Sequence, residues 1–306
     1  MNSILLRASR WNDYVLLDSG DGDKLERFGP YIFSRPEPQA IWKKNLSSKV
    51  WKNISGKFIS SSSTNNDEIV GKWSLDKNLP DKWEMHFENL KFFATPTPFR
   101  HLGFFPDQSP HWLWAAKKIK LHRQLFTNKT PVKILNLFGY SGLASLHAAV
   151  NGATVTHIDA SKKAINFAFE NRNLSSFENL PIKFITDDAV KFVQREIRRN
   201  NKYDAIILDP PKYGRGPNGE KWELFKDLPF LLNLIPQILS KQPLFIILNS
   251  YAIRASYLSL HYALKDIMQG FAGSVQSGEL CITEEQKNPR QISTAIFARW
   301  EGQQFN

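Results

Sequence analysis

The sequence predicts an α/β protein: a mostly parallel sheet of alternating strands and helices, preceded by a smaller β-rich region. Three observations predict it. Nearly continuous apolar runs recur at residues 132–138, 154–158, 182–186, 203–208 and 244–248, as strands buried on both faces require. Helical patterns separate them; in residues 188–199, Val190, Val193 and Ile197 share one face. Residues 1–95, by contrast, show strand alternation and turn chemistry, and Pro30, Pro36 and Pro38 forbid a long helix there. Alternating βα units imply an open parallel sheet with right-handed crossovers. The expected division is therefore a β-rich domain at 1–95 and an α/β domain at 96–306.

Along the first region, Tyr14-Val15-Leu16-Leu17-Asp18 is a strand ending in the turn Ser19-Gly20-Asp21-Gly22-Asp23. Residues 60–66 are small and polar, an exposed loop. Residues 83–88 alternate apolar with polar, and 90–94 continue or pair with that strand. Trp42, Trp51, Trp73 and Trp83 fit core positions better than a stacking surface. In the second region, Asp107 can cap a helix running through Trp114 and Ile119, with Pro110 in its first turn. Residues 143–150 and 255–269 are helical in pattern, and 280–283 and 292–300 read as two late strands around the turn Asn288-Pro289.

Composition narrows the function classes. No apolar run approaches a membrane span, the N-terminal apolar stretch is short for a signal peptide, and one cysteine, Cys281, excludes an internal disulfide and a Cys-rich zinc site. A cytoplasmic setting is expected. The net charge is +11, and residues 1–95 hold 14 Lys and Arg against 12 Asp and Glu, so the surplus sits in the second region. Its clusters are Lys117, Lys118, Lys120, Arg123, Lys129 and Lys133, then Lys191, Arg195, Arg198, Arg199 and Lys202. Such clusters suit a polyanion, nucleic acid foremost, or serve only as solvated helix faces. His101 and His147 have no partners at metal-ligand spacing, so both read as structural.

In an open parallel sheet, ligands bind beyond the carboxyl ends of the strands. The first strand ends in Phe138-Gly139-Tyr140-Ser141-Gly142, a Gly-x-x-Gly turn into a helix rather than a pyrophosphate loop. The second ends at Asp159, placed to accept two ribose hydroxyls, or to serve as a helix N-terminal charge, with Ala160 and Ser161 after it. The third ends in Asp187-Asp188-Ala189, where one carboxylate can cap the helix while the other faces the pocket, Asp188 being favoured for the pocket. The fourth ends in Asp209-Pro210-Pro211-Lys212-Tyr213. Two prolines stiffen that elbow and remove two donors, leaving outward carbonyl oxygens for a planar amine and an aromatic ring for a base. Gly214–Gly219 is too glycine-rich to be rigid and reads as a flap over the acceptor, or as a plain surface loop.

With these motifs in order, residues 134–300 resemble the class I S-adenosylmethionine-dependent methyltransferases, and among them the bacterial group that modifies large-subunit ribosomal RNA. The pieces that carry the resemblance are 102–108, 135–142, 158–162, Asp187-Asp188-Ala189 and Asp209-Pro210-Pro211-Lys212. It implies a Rossmann-like seven-stranded sheet whose last strand is antiparallel, S-adenosylmethionine as cofactor and an RNA acceptor. By the same resemblance Phe105, Gln108, Gly139, Gly142, Asp159, Asp188 and Asp209 line the cofactor pocket, joined by Phe138, Tyr140, Ser141, Ala160, Ser161, Asp187 and Ala189 around them. The acceptor side is Asp209, Pro210, Pro211, Lys212 and Tyr213.

The chain departs from the family in two places. Gln108 is followed by Ser109 where relatives carry Gln-Arg, and the fifth strand ends in Leu248-Asn249-Ser250-Tyr251 with no cysteine. Covalent C5 methylation needs a thiolate, so that route is disfavoured, leaving an exocyclic or ring nitrogen, or C5 by a route without a cysteine, as the acceptor. Competing readings are a methyltransferase for a protein side chain or small molecule, a nicotinamide-dependent oxidoreductase, and a silent RNA-binding module.

Overall fold

The structure is a computed structural model that describes residues 3–8, 11–60, 71–126, 130–251 and 253–303. The loop expected at 60–66, Ser60 apart, and Lys129 of the first basic cluster lie outside the described residues. The chain divides into two compact units. One comprises Met1–Leu6, Pro110–Glu279 and Ala295–Asn306, the other Arg7–Ser109 and Leu280–Thr294, so the sequence-based boundary at 95/96 falls inside the second.

After β1 (Ile4–Arg7), the β-rich unit contains β2 (Tyr14–Gly20), β3 (Asp23–Phe28), β4 (Tyr31–Pro36), the short α1 (Ser48–Lys52), β5 (Gly56–Ser60), β6 (Gly71–Leu75), β7 (Trp83–Phe87) and β8 (Leu90–Ala94). Strands β2 to β6 form one sheet in that order, and β7 pairs with β8. The β2–β3 turn holds Asp21 at φ 50° and Gly22 at φ 79°, the paired positive values a two-residue hairpin needs. Burial alternates along β7 as its sequence demanded. Of the expected core tryptophans only Trp83 is buried, its indole N–H donating to Phe28 O at 3.1 Å; Trp42, Trp51 and Trp73 are half-buried, the indole N–H of Trp51 donating to Asp18 Oδ2 at 2.8 Å.

A short 3-10 turn, Pro106–Gln108, leads into α2 (Ser109–Leu125). Asp107 does not cap that helix: the turn carries it into the interior, where Thr294 Oγ1 donates to its carboxylate at 2.8 Å. The α/β elements follow: β9 (Lys133–Leu137), α3 (Leu143–Val150), β10 (Thr154–Asp159), α4 (Lys162–Leu174), β11 (Ile182–Thr186), α5 (Ala189–Arg198), β12 (Ala205–Leu208), β13 (Tyr213–Arg215), β14 (Lys221–Glu223), α6 (Leu224–Leu234), β15 (Phe245–Tyr251), α7 (Tyr257–Ile267), β16 (Gly273–Thr283) and β17 (Gln291–Gly302).

The main sheet runs β1-β16-β17-β15-β12-β9-β10-β11. The neighbours from β15 through β11 are parallel, and β17 lies antiparallel to β15 as expected. It has eight strands among the described residues rather than seven, because β1 joins the edge; four residues are too few to show a period. Neighbouring residues along each strand face opposite ways. Leu135, Leu137, Ile206 and Leu208 pack with residues of α5, α6 and α7, while Ile134, Ala205, Phe245 and Ile247 pack with α2 and α3. Burying each such side chain contributes about 1.5–3 kcal/mol, which is why the apolar runs lack alternation.

Candidate functional site

The register decides which strand ends meet. Leu137 pairs with Ile158 on one side and Leu208 on the other, and Asp159 pairs with Thr186. Residues 138–142, Asp159, Asp187 and Asp209 therefore lie along one carboxyl edge. The chain order reverses there: β9 sits between β10 and β12, so the ligand crevice of such a sheet falls between β9 and β12.

The turn after β9 is conformationally demanding. Phe138 and Tyr140 hold φ of 59° and 46°, and Gly142, which precedes α3, holds 83°. Two non-glycine residues in the left-handed region mark a turn imposed by its surroundings. A Cβ on Gly142 would come 2.8 Å from Ala168 Cβ, and one on Gly139 would come 2.3 Å from the His157 ring, so both positions require glycine. Below the turn a buried polar chain links three elements: Asn136 Nδ2 donates to Ser145 Oγ at 2.9 Å, and Ser145 Oγ lies 2.9 Å from His157 Nδ1. Burial pushes His157 down to about 3, so its ring is neutral. Ser141 is buried, and its carbonyl accepts from Asn171 Nδ2 at 2.9 Å.

Asp159 accepts from Tyr140 N at 2.9 Å through Oδ2 and from Ser161 N at 2.8 Å through Oδ1. Burial raises its pKa against the two backbone donors, and no cation is among the groups that act on it. The same carboxylate, after burial, helps push Tyr140 up to about 12. Ser161 caps α4, its Oγ accepting from Ala164 N at 3.3 Å. Ala160 joins the two. At the third strand end, Asp188 is the cap, its Oδ1 accepting from Lys191 N at 2.9 Å ahead of Ala189. Asp187 forms an ion pair with Arg195 and accepts from Asp188 N.

The elbow follows β12. Asn249 Nδ2 donates to Asp209 Oδ1 at 3.0 Å, and the Asn249 carbonyl oxygen is buried without a partner among the described residues. Residues 213–215 and 221–223 pair as the hairpin β13–β14, with 216–220 as its connection. It occupies part of the elbow: Trp222 Nε1 donates to Pro211 O at 2.7 Å and Leu224 N to Lys212 O at 3.0 Å. Two of the carbonyl oxygens expected to face outward, those of Pro211 and Lys212, are thus taken by the hairpin. Trp222 also packs on Phe138, centroids 4.9 Å apart, joining the elbow to the turn after β9. Tyr213 is 52 % exposed, with Lys212 Nζ 5.4 Å from its ring centre.

Phe105 and Gln108 belong to the β-rich unit, Phe105 preceding the 3-10 turn and Gln108 closing it, with Gln108 N donating to Phe105 O at 3.2 Å. Sequence reasoning missed Asn249 and Trp222. A polar residue closing the fifth apolar run was signal enough for the first, whereas a lone tryptophan beyond a glycine-rich stretch is no signal. The second basic cluster is largely consumed internally: Lys191 pairs with Glu220, Arg195 with Asp187 and Arg199 with Glu196, while Lys202 donates to Gln237 O. In the first, Lys118 pairs with Glu301, and Lys117 and Lys120 are exposed. No helix among the described residues is long and apolar enough to cross a membrane.

The edge just described brings together the half-buried Asp159 carboxylate, the glycine turn after β9 and the elbow after β12 one strand away. These residues fit S-adenosylmethionine. Comparison with known proteins bears on the same region. Residues 120–224 match the family described as Conserved hypothetical protein 95. Over 119 residues the chain is 34% identical to MJ1653 of Methanocaldococcus jannaschii, provisionally named a ribosomal RNA large subunit methyltransferase, covering 39% of this chain and 29% of that one. Over 153 residues it is 34% identical to the ribosomal RNA large subunit methyltransferase K/L of Shewanella frigidimarina, covering 49% and 20%. The chain thus spans under a third of the length of these curated relatives. The crystal structure of the SAM-dependent methyltransferase from Agrobacterium tumefaciens superposes with a TM-score of 0.90 at 44% identity, covering 97% of this chain and 93% of that one. With fold, site and near full-length identity agreeing, this chain belongs to the S-adenosylmethionine-dependent methyltransferases.

Proposed function

We propose that the protein methylates a nitrogen of RNA, ribosomal RNA foremost, in the cytoplasm and without a cysteine nucleophile. The observation that carries the reading is the elbow: the Asp209 carboxylate fixed by Asn249 and the Pro210 carbonyl stand beside the β9 crevice, with exposed Tyr213 next to them. The relatives' names and the basic surplus of the second region support RNA as the acceptor.

Asp159 would accept the ribose hydroxyls, and residues 138–142 would lie against the donor's chain. The bound donor supplies a methyl group already activated on a sulfonium, so the protein's task is alignment. Asp209 and the Pro210 carbonyl would accept the N–H groups of the target amine and aim its lone pair, while Tyr213 stacks on the base. Single-stranded or flipped-out nucleotides suit that geometry. The end of the fifth parallel strand, β15, holds Asn249, Ser250 and Tyr251, and Cys281 is buried in β16, so no thiol stands at the elbow.

The test is transfer of labelled methyl from S-adenosylmethionine to purified large-subunit ribosomal RNA, to protein fractions and to small-molecule extracts. The reading expects label in RNA, on a base nitrogen after nuclease digestion. Label confined to protein or to small molecules overturns it.

A further inference from the structure

The hairpin β13–β14 has two faces with different fates. Its inner face, Gly214 and Trp222, is pinned: Trp222 is buried and bonded to Pro211 O, and the base is closed by Leu224 N on Lys212 O. Its tip is fastened too. Glu220 pairs with Lys191 of α5, which first among causes holds Glu220 down at about 2, and Gly216 N donates to Glu220 O at 2.8 Å. The outer face carries Tyr213, Arg215, Lys221 and Glu223, all exposed. Arg215 and Lys221 are direct cross-strand partners. Like charges in that relation destabilise a hairpin, and among the described residues neither cation has an ion-pair partner; Glu223 is the lone acidic group on that face. A destabilising arrangement on an otherwise well-anchored element marks a functional surface.

We propose that this outer face is a binding surface for the phosphate backbone of single-stranded RNA entering the acceptor site. This rests on the RNA reading above and names the element that would grip the acceptor. The partner follows from the chemistry: two adjacent cations for phosphates, and the exposed Tyr213 ring, flanked by Lys212, for a base. Along a strand Tyr213 and Arg215 stand about 7 Å apart, on the scale of one nucleotide, so ring and cation can serve one base and its neighbouring phosphate. Because the hairpin is bonded to the elbow through Pro211 and Lys212, RNA held on it would be held in fixed relation to the Pro210 carbonyl.

The test compares the full-length protein with its Arg215→Gln/Lys221→Gln double variant, using a fluorescent single-stranded RNA oligomer, large-subunit ribosomal RNA and S-adenosylmethionine. RNA affinity should fall about 10- to 100-fold, and the slope of log affinity against log salt should flatten by roughly 2. Affinity for S-adenosylmethionine should stay unchanged. Relief of the like-charge pair should also leave the melting temperature equal or higher, opposite in sign to the loss a purely structural role would produce. If the unaltered protein binds and methylates RNA and the variant does so with the same affinity and salt slope, the hairpin proposal falls while the RNA reading stands. If the unaltered protein methylates only an acidic peptide or another protein, both fall.

Discussion

The two compact units treat carboxylates shielded from solvent in opposite ways. In the β-rich unit, Glu26 receives two hydrogen bonds from Arg35, each at 2.7 Å, and one from Tyr14 at 2.9 Å. Burial works to raise it, but Arg35 and Lys24 outweigh that and hold it at about 2. In the α/β unit, Asp159 is half-buried with two backbone N–H groups and no cation acting on it, and its pKa is raised, burial first among the causes. A carboxylate saturated by its own protein stabilises an interior. One left under-compensated at a strand edge has acceptor capacity for a ligand. Residue type alone does not separate the two; the partners do.

The comparison breaks most visibly at Glu26. Glu26→Gln leaves Arg35 buried without its counter-charge, which costs about 3–5 kcal/mol of stability; urea unfolding measures it, and the folded fraction should bind S-adenosylmethionine normally. Asp159→Ala should do the reverse, lowering affinity for S-adenosylmethionine about 100-fold, or roughly 2.7 kcal/mol, with little change in the unfolding midpoint. Calorimetry showing unaltered affinity would remove Asp159 from the site.

The glycine turn gives a smaller and more specific effect. Gly139→Ala should cost about 1–3 kcal/mol through overpacking against His157. Adding His157→Ala should recover part of that loss, a favourable coupling of about 1 kcal/mol in a double-mutant cycle. Strictly additive losses would place the clash elsewhere. The mildest effect is with pH. Buried neutral His157 takes a proton only near pH 3, whereas in the unfolded chain it takes one near pH 6.5. Its share of stability is therefore complete above about pH 6.5 and is lost as pH falls through that window. His157→Asn should reduce the pH dependence of unfolding free energy between pH 6.5 and 5 by up to about 1.4 kcal/mol per pH unit. The Glu26 share behaves differently: it is lost only below about pH 4.5, as the carboxylate begins to protonate in the unfolded chain.

By itself the sequence determined the parallel strands, their carboxyl ends and the antiparallel closing strand, because burial on both faces leaves uninterrupted apolar runs such as Phe245 to Leu248 of β15, all four buried. It also determined which residue types stand at those ends. The glycine turn, Asp159 and the Asp209 elbow follow from local chain chemistry, and the register sets them along one edge. Only the tertiary structure decided the partners. It assigned the α5 cap to Asp188 and Asp187 to Arg195, sent Asp107 to Thr294, turned the Pro211 and Lys212 carbonyls onto the hairpin, and spent most of the second basic cluster on internal pairs. It also added β1 to the sheet edge and made a hairpin of a glycine-rich stretch. The reason is range: a strand's period is written in a few neighbouring residues, whereas a hydrogen bond such as Asn249 to Asp209 joins groups 40 positions apart. That pairing exists only once the strands lie side by side.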